Sequence, residues 1–87
     1  MTLNLTFRAL SDPTRRKILA LLKKKDLSVN EISKSFNLTL PSLSHHLTVL
    51  KQANLVTFKR RGQELIYSLN LSVFEEMAEK IFKFFKK

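Results

Sequence analysis

The stretch from Ser28 to Asn54 carries two helix starts so close together that the chain between them has room only for a tight turn. Ser28 followed by Glu31 is a capping box, in which the two side chains satisfy backbone donors left unpaired at a helix start. Val29, Ile32 and Phe36 give that helix one apolar stripe. Asn37 is able to close it in a left-handed conformation, Thr39 is able to cap a second helix, and Pro41 is tolerated in that helix's first turn. The connection is about four residues long, the spacing of a helix-turn-helix.

At about 100° per residue, Leu40, Leu43, Leu47 and Leu50 fall on one side of the second helix. Pro41, His45, Thr48 and Gln52 lie roughly opposite, and Ser42 and Ser44 flank that outer face. Small hydroxyl and imidazole groups can approach base edges and phosphates closely, and the free N–H groups of a helix N-terminus attract phosphate as well. Long acidic side chains would repel DNA, and none occurs from Ser33 to Gln63. Thr39, Pro41, Ser42, Ser44, His45 and Thr48 are therefore the expected groove-facing residues. The plain alternative is an ordinary polar surface of a helical domain. Val49 points away from the leucine stripe, and the pattern gives no reason for it.

The formal net charge is +9, and the segment from Pro13 to Gln63 accounts for all of it, with eleven Lys or Arg against Asp26 and Glu31. Arg8 balances Asp12 before it, and four lysines balance four glutamates after it. A basic middle between neutral ends suits a surface that binds a polyanion, because each neutralised phosphate releases condensed counterions. The run Lys23, Lys24, Lys25 also reads as a solvated helix end favoured by the helix dipole.

With 87 residues, 44% of them hydrophobic, the chain is expected to form one globular domain spanning 1–87. A domain of this size buries only about two-thirds of its unfolded surface, so association would add needed stability. The absence of cysteine removes disulfides, thiolate metal sites and cysteine catalysis together. No apolar run approaches the roughly 18 residues of a membrane span, and no signal peptide is visible, so a soluble cytoplasmic protein without membrane insertion is expected.

One glycine and two prolines argue for continuous regular structure with short joints. Leu3, Phe7 and Leu10 recur at helical spacing and suggest a first helix that ends before Ser11, Asp12 and Pro13 restart the chain. Ile18, Leu19, Leu21 and Leu22 form the densest apolar patch of the N-terminal half and centre the core on a second helix, whose exposed side is expected to carry Arg15, Arg16 and Lys17. After Asn54 the period changes from 3.6 to 2. Val56 and Phe58 alternate with Thr57 and Lys59, and Leu65, Tyr67 and Leu69 with Ile66 and Ser68. The single glycine, Gly62, can take positive φ at the turn of this hairpin. Lys59, Arg60, Arg61 and Gln63 then form a basic tip, a wing suited to phosphates and to a narrow minor groove. The alternative is an edge hairpin whose charges merely guard against aggregation.

Asn70 or Ser72 can cap a last helix in which Val73, Phe74, Met77, Ala78, Ile81, Phe82, Phe84 and Phe85 cover about 180° of the wheel. A helix that packs only on its own domain needs a stripe a little over 100° wide, so apolar area is left over. The economical partner is a second copy, since a two-fold axis lets one patch serve both chains and supplies two recognition helices for a palindromic site. Leu3, Phe7, Phe74, Met77, Ala78, Ile81, Phe82 and Phe85 are the expected dimerisation residues. One alternative has Phe82 and Phe85 covering the N-terminal core. Another has the helix lying on a membrane surface, against which the acids of its polar side argue.

Ser11-Asp12-Pro13-Thr14-Arg15-Arg16-Lys17-Ile18-Leu19, Pro41-Ser42-Leu43-Ser44-His45-His46-Leu47 with Leu50-Lys51-Gln52-Ala53, Arg61-Gly62-Gln63 and Tyr67-Ser68-Leu69 together resemble the ArsR family of bacterial winged helix-turn-helix repressors, and within it the SdpR-type autorepressors. The resemblance covers nearly the whole chain and implies a mainly α fold with a small β-hairpin (α+β), in the order α-α-α-α-β-β-α. It also implies a homodimer joined through the first and last helices, double-stranded DNA as ligand, a recognition helix carried by Pro41, Ser42, Ser44 and His45, and a wing from Lys59 to Gln63.

The chain departs from the family where mechanism is concerned. Many members sense metals through cysteines before the helix-turn-helix, or through acidic and histidine ligands on the last helix. Here there is no cysteine, and Val73 to Lys87 holds no histidine. Adjacent His45 and His46 project about 100° apart and do not chelate one ion as an i, i+4 pair would. No metal site and no cofactor are expected, and His46, at the edge of the apolar face, reads as a hydrogen-bonded structural histidine. Asn54 stands where relatives often place glycine, as an alternative left-handed cap. Without a metal, control is expected from autoregulated concentration or from a protein that induces or sequesters the dimer. A different class of function is a protein-interaction module working through the phenylalanine-rich last helix. An enzyme is disfavoured, because the seven acids form no paired constellation and there is no glycine-rich phosphate loop.

Overall fold

The computed structural model describes residues 3–86, the Leu3 side chain excepted. Five helices and three short strands follow in the order α1 (Leu3–Leu10), α2 (Pro13–Lys24), β1 (Leu27–Ser28), α3 (Val29–Ser35), α4 (Leu40–Gln52), β2 (Val56–Arg61), β3 (Glu64–Leu69) and α5 (Leu71–Phe85). The helix starts are where local chemistry puts them. Asp12 caps α2, accepting from the Arg15 backbone N–H at 3.1 Å, with Pro13 in the first turn. The capping box of α3 is complete: the Glu31 N–H donates to Ser28 Oγ at 3.1 Å, and the Ser28 N–H donates to Glu31 Oε1 at 2.9 Å. Thr39 caps α4 by accepting from the Ser42 N–H at 3.3 Å.

The core gathers Ile18, Leu19 and Leu22 of α2, Ile32 of α3, Leu43, Leu47, Val49 and Leu50 of α4, and Leu55, Val56 and Tyr67 from the hairpin. Ala9 represents α1 in it, with Thr6 buried beside it. Two expectations change on α4. Leu40 is exposed, at 57% of its free surface, and Val49 is buried, at 3%. The buried arc is therefore turned away from Leu40 and takes in Leu43, His46, Leu47, Val49 and Leu50, which supplies the reason for Val49 that the leucine pattern lacks.

The hairpin register runs from Val56 opposite Leu69 to Arg61 opposite Glu64, leaving Gly62 and Gln63 as a two-residue turn. Gly62 has φ 62° and Gln63 does not share its sign, the pattern of a type II′ turn that matches the twist of the strands. A Cβ added at Gly62 would meet no atom within 4 Å, so backbone conformation rather than crowding selects glycine there.

A third strand joins the hairpin. β1 pairs antiparallel with β3, Leu27 opposite Tyr67 and Ser28 opposite Ile66, giving the order β1-β3-β2. This corrects the strict alternation expected of β3. Ile66 sits between Ser28 and Lys59 and Tyr67 between Leu27 and Phe58; the two project to opposite faces of the central strand and both are buried, with α2 and α3 packed against it.

Asn54 ends α4 with φ 59°, the left-handed conformation read from its position, and Leu55 N–H closes back on the Leu50 carbonyl at 3.1 Å. Asn70 occupies the cap position of α5 but makes no side-chain cap bond, contrary to expectation. Its Nδ2 donates instead to the Asn54 carbonyl at 3.0 Å.

Candidate nucleic-acid interface

On α4 the exposed arc holds Leu40, Pro41, Ser44, His45, Thr48 and Gln52, with Lys51 half-exposed at its edge. Of the residues expected to face a groove, Pro41, Ser44, His45 and Thr48 stand in this arc. Ser42 is half-buried on the flank, and exposed Thr39 has its hydroxyl engaged as the helix cap. The arc carries small hydroxyls, one imidazole and no acid, on a helix whose N-terminus bears positive partial charge.

Lys59, Arg60, Arg61 and Gln63 are all exposed at the end of the hairpin, and the Arg61 partner across the ladder is Glu64. Helix and hairpin are tied at their bases by a cation–π pair that the sequence pattern does not reveal. The Lys51 ammonium lies 4.8 Å from the centroid of the Phe58 ring, which stacks on Tyr67 with centroids 5.6 Å apart. Half-exposed Phe58 thus holds a cation between the outer face of α4 and the start of β2.

A second feature hidden from the sequence lies beneath α4. Arg15, assigned to the exposed side of α2, is only 8% exposed. Its guanidinium donates through Nε to the Ala9 carbonyl and through Nη2 to the Arg8 carbonyl, both at 2.9 Å. Both carbonyls belong to the last turn of α1, where the Arg8 carbonyl also accepts from the Ser11 N–H and hydroxyl, so a buried cation finds acceptors where the helix dipole is negative. Nη1 lies 3.2 Å from His46 Nδ1, which gives His46 the hydrogen-bonded structural role read for it. Asp12 completes the cluster, its Oδ2 3.9 Å from His46 Nδ1. Partial burial pushes the Asp12 carboxyl up, but the Arg15 backbone N–H, the facing His46 and the Arg15 charge outweigh it, so its pKa lies below the ordinary carboxylate value. Glu31 is also held low, first by the Ser28 backbone N–H.

The expected dimerisation residues divide into two sets. Phe74 and Met77 are half-buried against the core, whereas Phe7, Ala78, Ile81, Phe82 and Phe85 are exposed. Phe82 and Phe85 retain 78% and 76% of their free surface, so they do not cover the N-terminal core. The expectation for Leu3 falls on a side chain outside the described residues. The polar side of α5 holds a Glu79–Lys83 pair at 3.2 Å. Among the described residues no three acidic or histidine side chains gather as a metal site, and no helix is long and apolar enough to cross a membrane.

The family model described as "Bacterial regulatory protein, arsR family" matches residues 12–57. Over 85 residues the chain is 46% identical to the transcriptional repressor SdpR of Bacillus subtilis (strain 168), covering 98% of this chain and 94% of that protein. The fold is similar to the crystal structure of an ArsR family transcriptional regulator at a TM-score of 0.78, with 28% identity and 98% of each chain covered. It is also similar to an ArsR-like transcriptional regulator from Rhodococcus sp. RHA1, at 0.83 and 26% identity, covering 97% of this chain and 83% of that one.

Proposed function

Because the chain belongs to the ArsR family of bacterial regulatory proteins, we propose that it represses transcription as a homodimer on a palindromic operator without sensing a metal. The protein is a DNA-binding transcriptional regulator with a winged helix-turn-helix, not an enzyme. In the proposed complex Ser44, His45, Thr48 and Pro41 of α4 enter the major groove, Ser42 and Thr39 lie at its phosphate margin, and Lys59, Arg60, Arg61 and Gln63 follow the backbone into the neighbouring minor groove.

The observation that carries the reading is the pairing of an acid-free polar arc on α4 with an exposed basic hairpin beside it. The dimer rests on the apolar face of α5, where Ile81, Phe82 and Phe85 stand in water in a single chain, with Phe7 of α1 likewise exposed. Two-fold pairing through these helices would present two α4 helices about one duplex turn, roughly 34 Å, apart. The lack of cysteine, and of histidine on α5, supports a repressor that answers to concentration or to a protein partner rather than to metal. A soluble protein of the cytoplasm, acting as one domain, fits this role.

Selection of bound fragments from genomic DNA, followed by titration against salt, tests the proposal. Two-fold symmetric fragments and a binding constant that falls steeply with salt are expected. Absence of a salt-sensitive complex would overturn it, and a thermal midpoint raised strongly by low-micromolar zinc or arsenite would overturn the metal-free part.

A further inference from the structure

Arg15 aims three donors at three acceptors: the Ala9 and Arg8 carbonyls of α1 and Nδ1 of His46 on α4. A guanidinium stays charged throughout the range in which proteins fold and has no acceptor to offer. The Arg15–His46 bond therefore exists only while Nδ1 carries a free lone pair, which makes the imidazole neutral with its proton on Nε2. Protonation would convert Nδ1 into a second donor facing a cation 3.2 Å away. Asp12, 3.9 Å from the same nitrogen, is the carboxylate toward which the new imidazolium would turn.

The surroundings of His46 are charged from several sides. Asp12 and Arg15 come from the start of α2, and His45 from α4 itself, with its ring centroid 5.9 Å from that of His46; α1 contributes the Arg8 and Ala9 carbonyls that hold Arg15. β2 meets α4 farther along, where Phe58 lies under Lys51.

We propose that Arg15 and His46 are a protonation-controlled positioning pair: neutral His46 ties α4 to the end of α1, and protonated His46 releases it, so specific DNA affinity falls with acidity. Neither residue touches DNA in this arrangement. They act through the orientation of Ser44, His45 and Thr48. The inference rests on the DNA-binding reading above, and it couples the helix that reads DNA to α1, whose exposed Phe7 is assigned to the dimer.

Duplexes selected from a random library at about pH 7.5 serve as the specific probe and an unselected random duplex as the nonspecific one. Wild type is compared with His46→Gln, whose side-chain carbonyl can accept from Arg15 at any pH. Between about pH 7.5 and about pH 5.5, the specific-to-nonspecific affinity ratio of the wild type is expected to fall about tenfold, the size of one charge-assisted hydrogen bond. The fall for His46→Gln is expected to be at least about fivefold smaller than that of the wild type, a comparison in which the contribution of His45, common to both proteins, cancels. Equal profiles for the two proteins overturn the proposal and leave DNA binding standing. A selection that returns no duplex overturns the DNA-binding reading and, with it, the link from acidity to affinity. Imidazole nitrogen shifts of free wild-type protein need no variant and no DNA. They are expected to put the His46 proton on Nε2 at neutral pH, and a proton on Nδ1 overturns the pair.

Discussion

Asn70 donates from Nδ2 to the carbonyl of Asn54 at 3.0 Å, fastening the first residue of the terminal-helix junction to the residue that closes α4. The backbone repeats the tie one residue on, where the Asn70 N–H donates to the Leu55 carbonyl at 3.0 Å. The hairpin thus leaves and returns at one point, and α4 and α5 share an anchor. Asn70→Ala should cost about 0.5–1.5 kcal/mol, toward the low end because the bond is exposed. Asn54→Ala should cost roughly 1 kcal/mol for a side chain held at positive φ, and Asn54→Gly should be close to neutral. Urea unfolding of the three variants checks the order.

Base reading and phosphate attraction are expected to separate by mutation. Ser44→Ala with His45→Ala should weaken binding to a selected duplex by about tenfold or more and leave binding to random duplex nearly unchanged. Arg60→Ala with Arg61→Ala should weaken both and reduce the slope of log K against log salt by up to about 1.8, roughly 0.9 for each phosphate no longer neutralised. Fluorescence anisotropy over a salt series reads both effects.

Phe82 is expected to matter to the assembly and not to the single chain. Being 78% exposed, it can become Glu at a cost to the isolated fold of about 0.5 kcal/mol or less. The same change would place two charges across a dimer axis. Light scattering should report a dimer for wild type and a monomer for Phe82→Glu, with operator affinity down roughly a hundredfold because two half-sites no longer bind together.

The caps of α2 and α3 should make stability depend on acidity. Asp12 and Glu31 both have folded pKa values below their ordinary ones. Near and below about pH 4 the unfolded chain therefore takes up protons more readily than the folded one. Their stabilisation is fully present above the unfolded pKa and is lost as pH falls through the folded values. The thermal midpoint of wild type should drop over that window, and Asp12→Asn with Glu31→Gln should start lower at neutral pH and fall less. Calorimetry from about pH 3 to pH 7 measures the difference.

Local chemistry made the N-terminal caps of α2 to α4, the turn and the helix order legible, because Ser28 with Glu31, Pro13, Thr39, Asn54 and Gly62 each act on their own few residues; the left-handed close expected of Asn37 is absent, α3 ending in extended backbone at Phe36. The hidden parts depend on groups distant in sequence. β1 is two residues long and exists because β3 has a free edge for it. Arg15 looks like any cation on a polar helix face until α1 brings its last carbonyls around, and Asn70 looks like a cap until the hairpin returns it to Asn54. On the candidate interface, the identity of the acid-free face was readable from the α4 pattern. Its centre was not, because the leucine stripe includes exposed Leu40 and omits buried Val49.

The bend at Gly62 asks for a handedness and not for a size. Since space around it is open and only the sign of φ excludes ordinary residues, a D-alanine installed by chemical ligation should fit the turn and stiffen it. If the tip meets DNA as proposed, a chain carrying that mirror-image residue would reveal whether it searches the duplex by swinging or arrives already shaped.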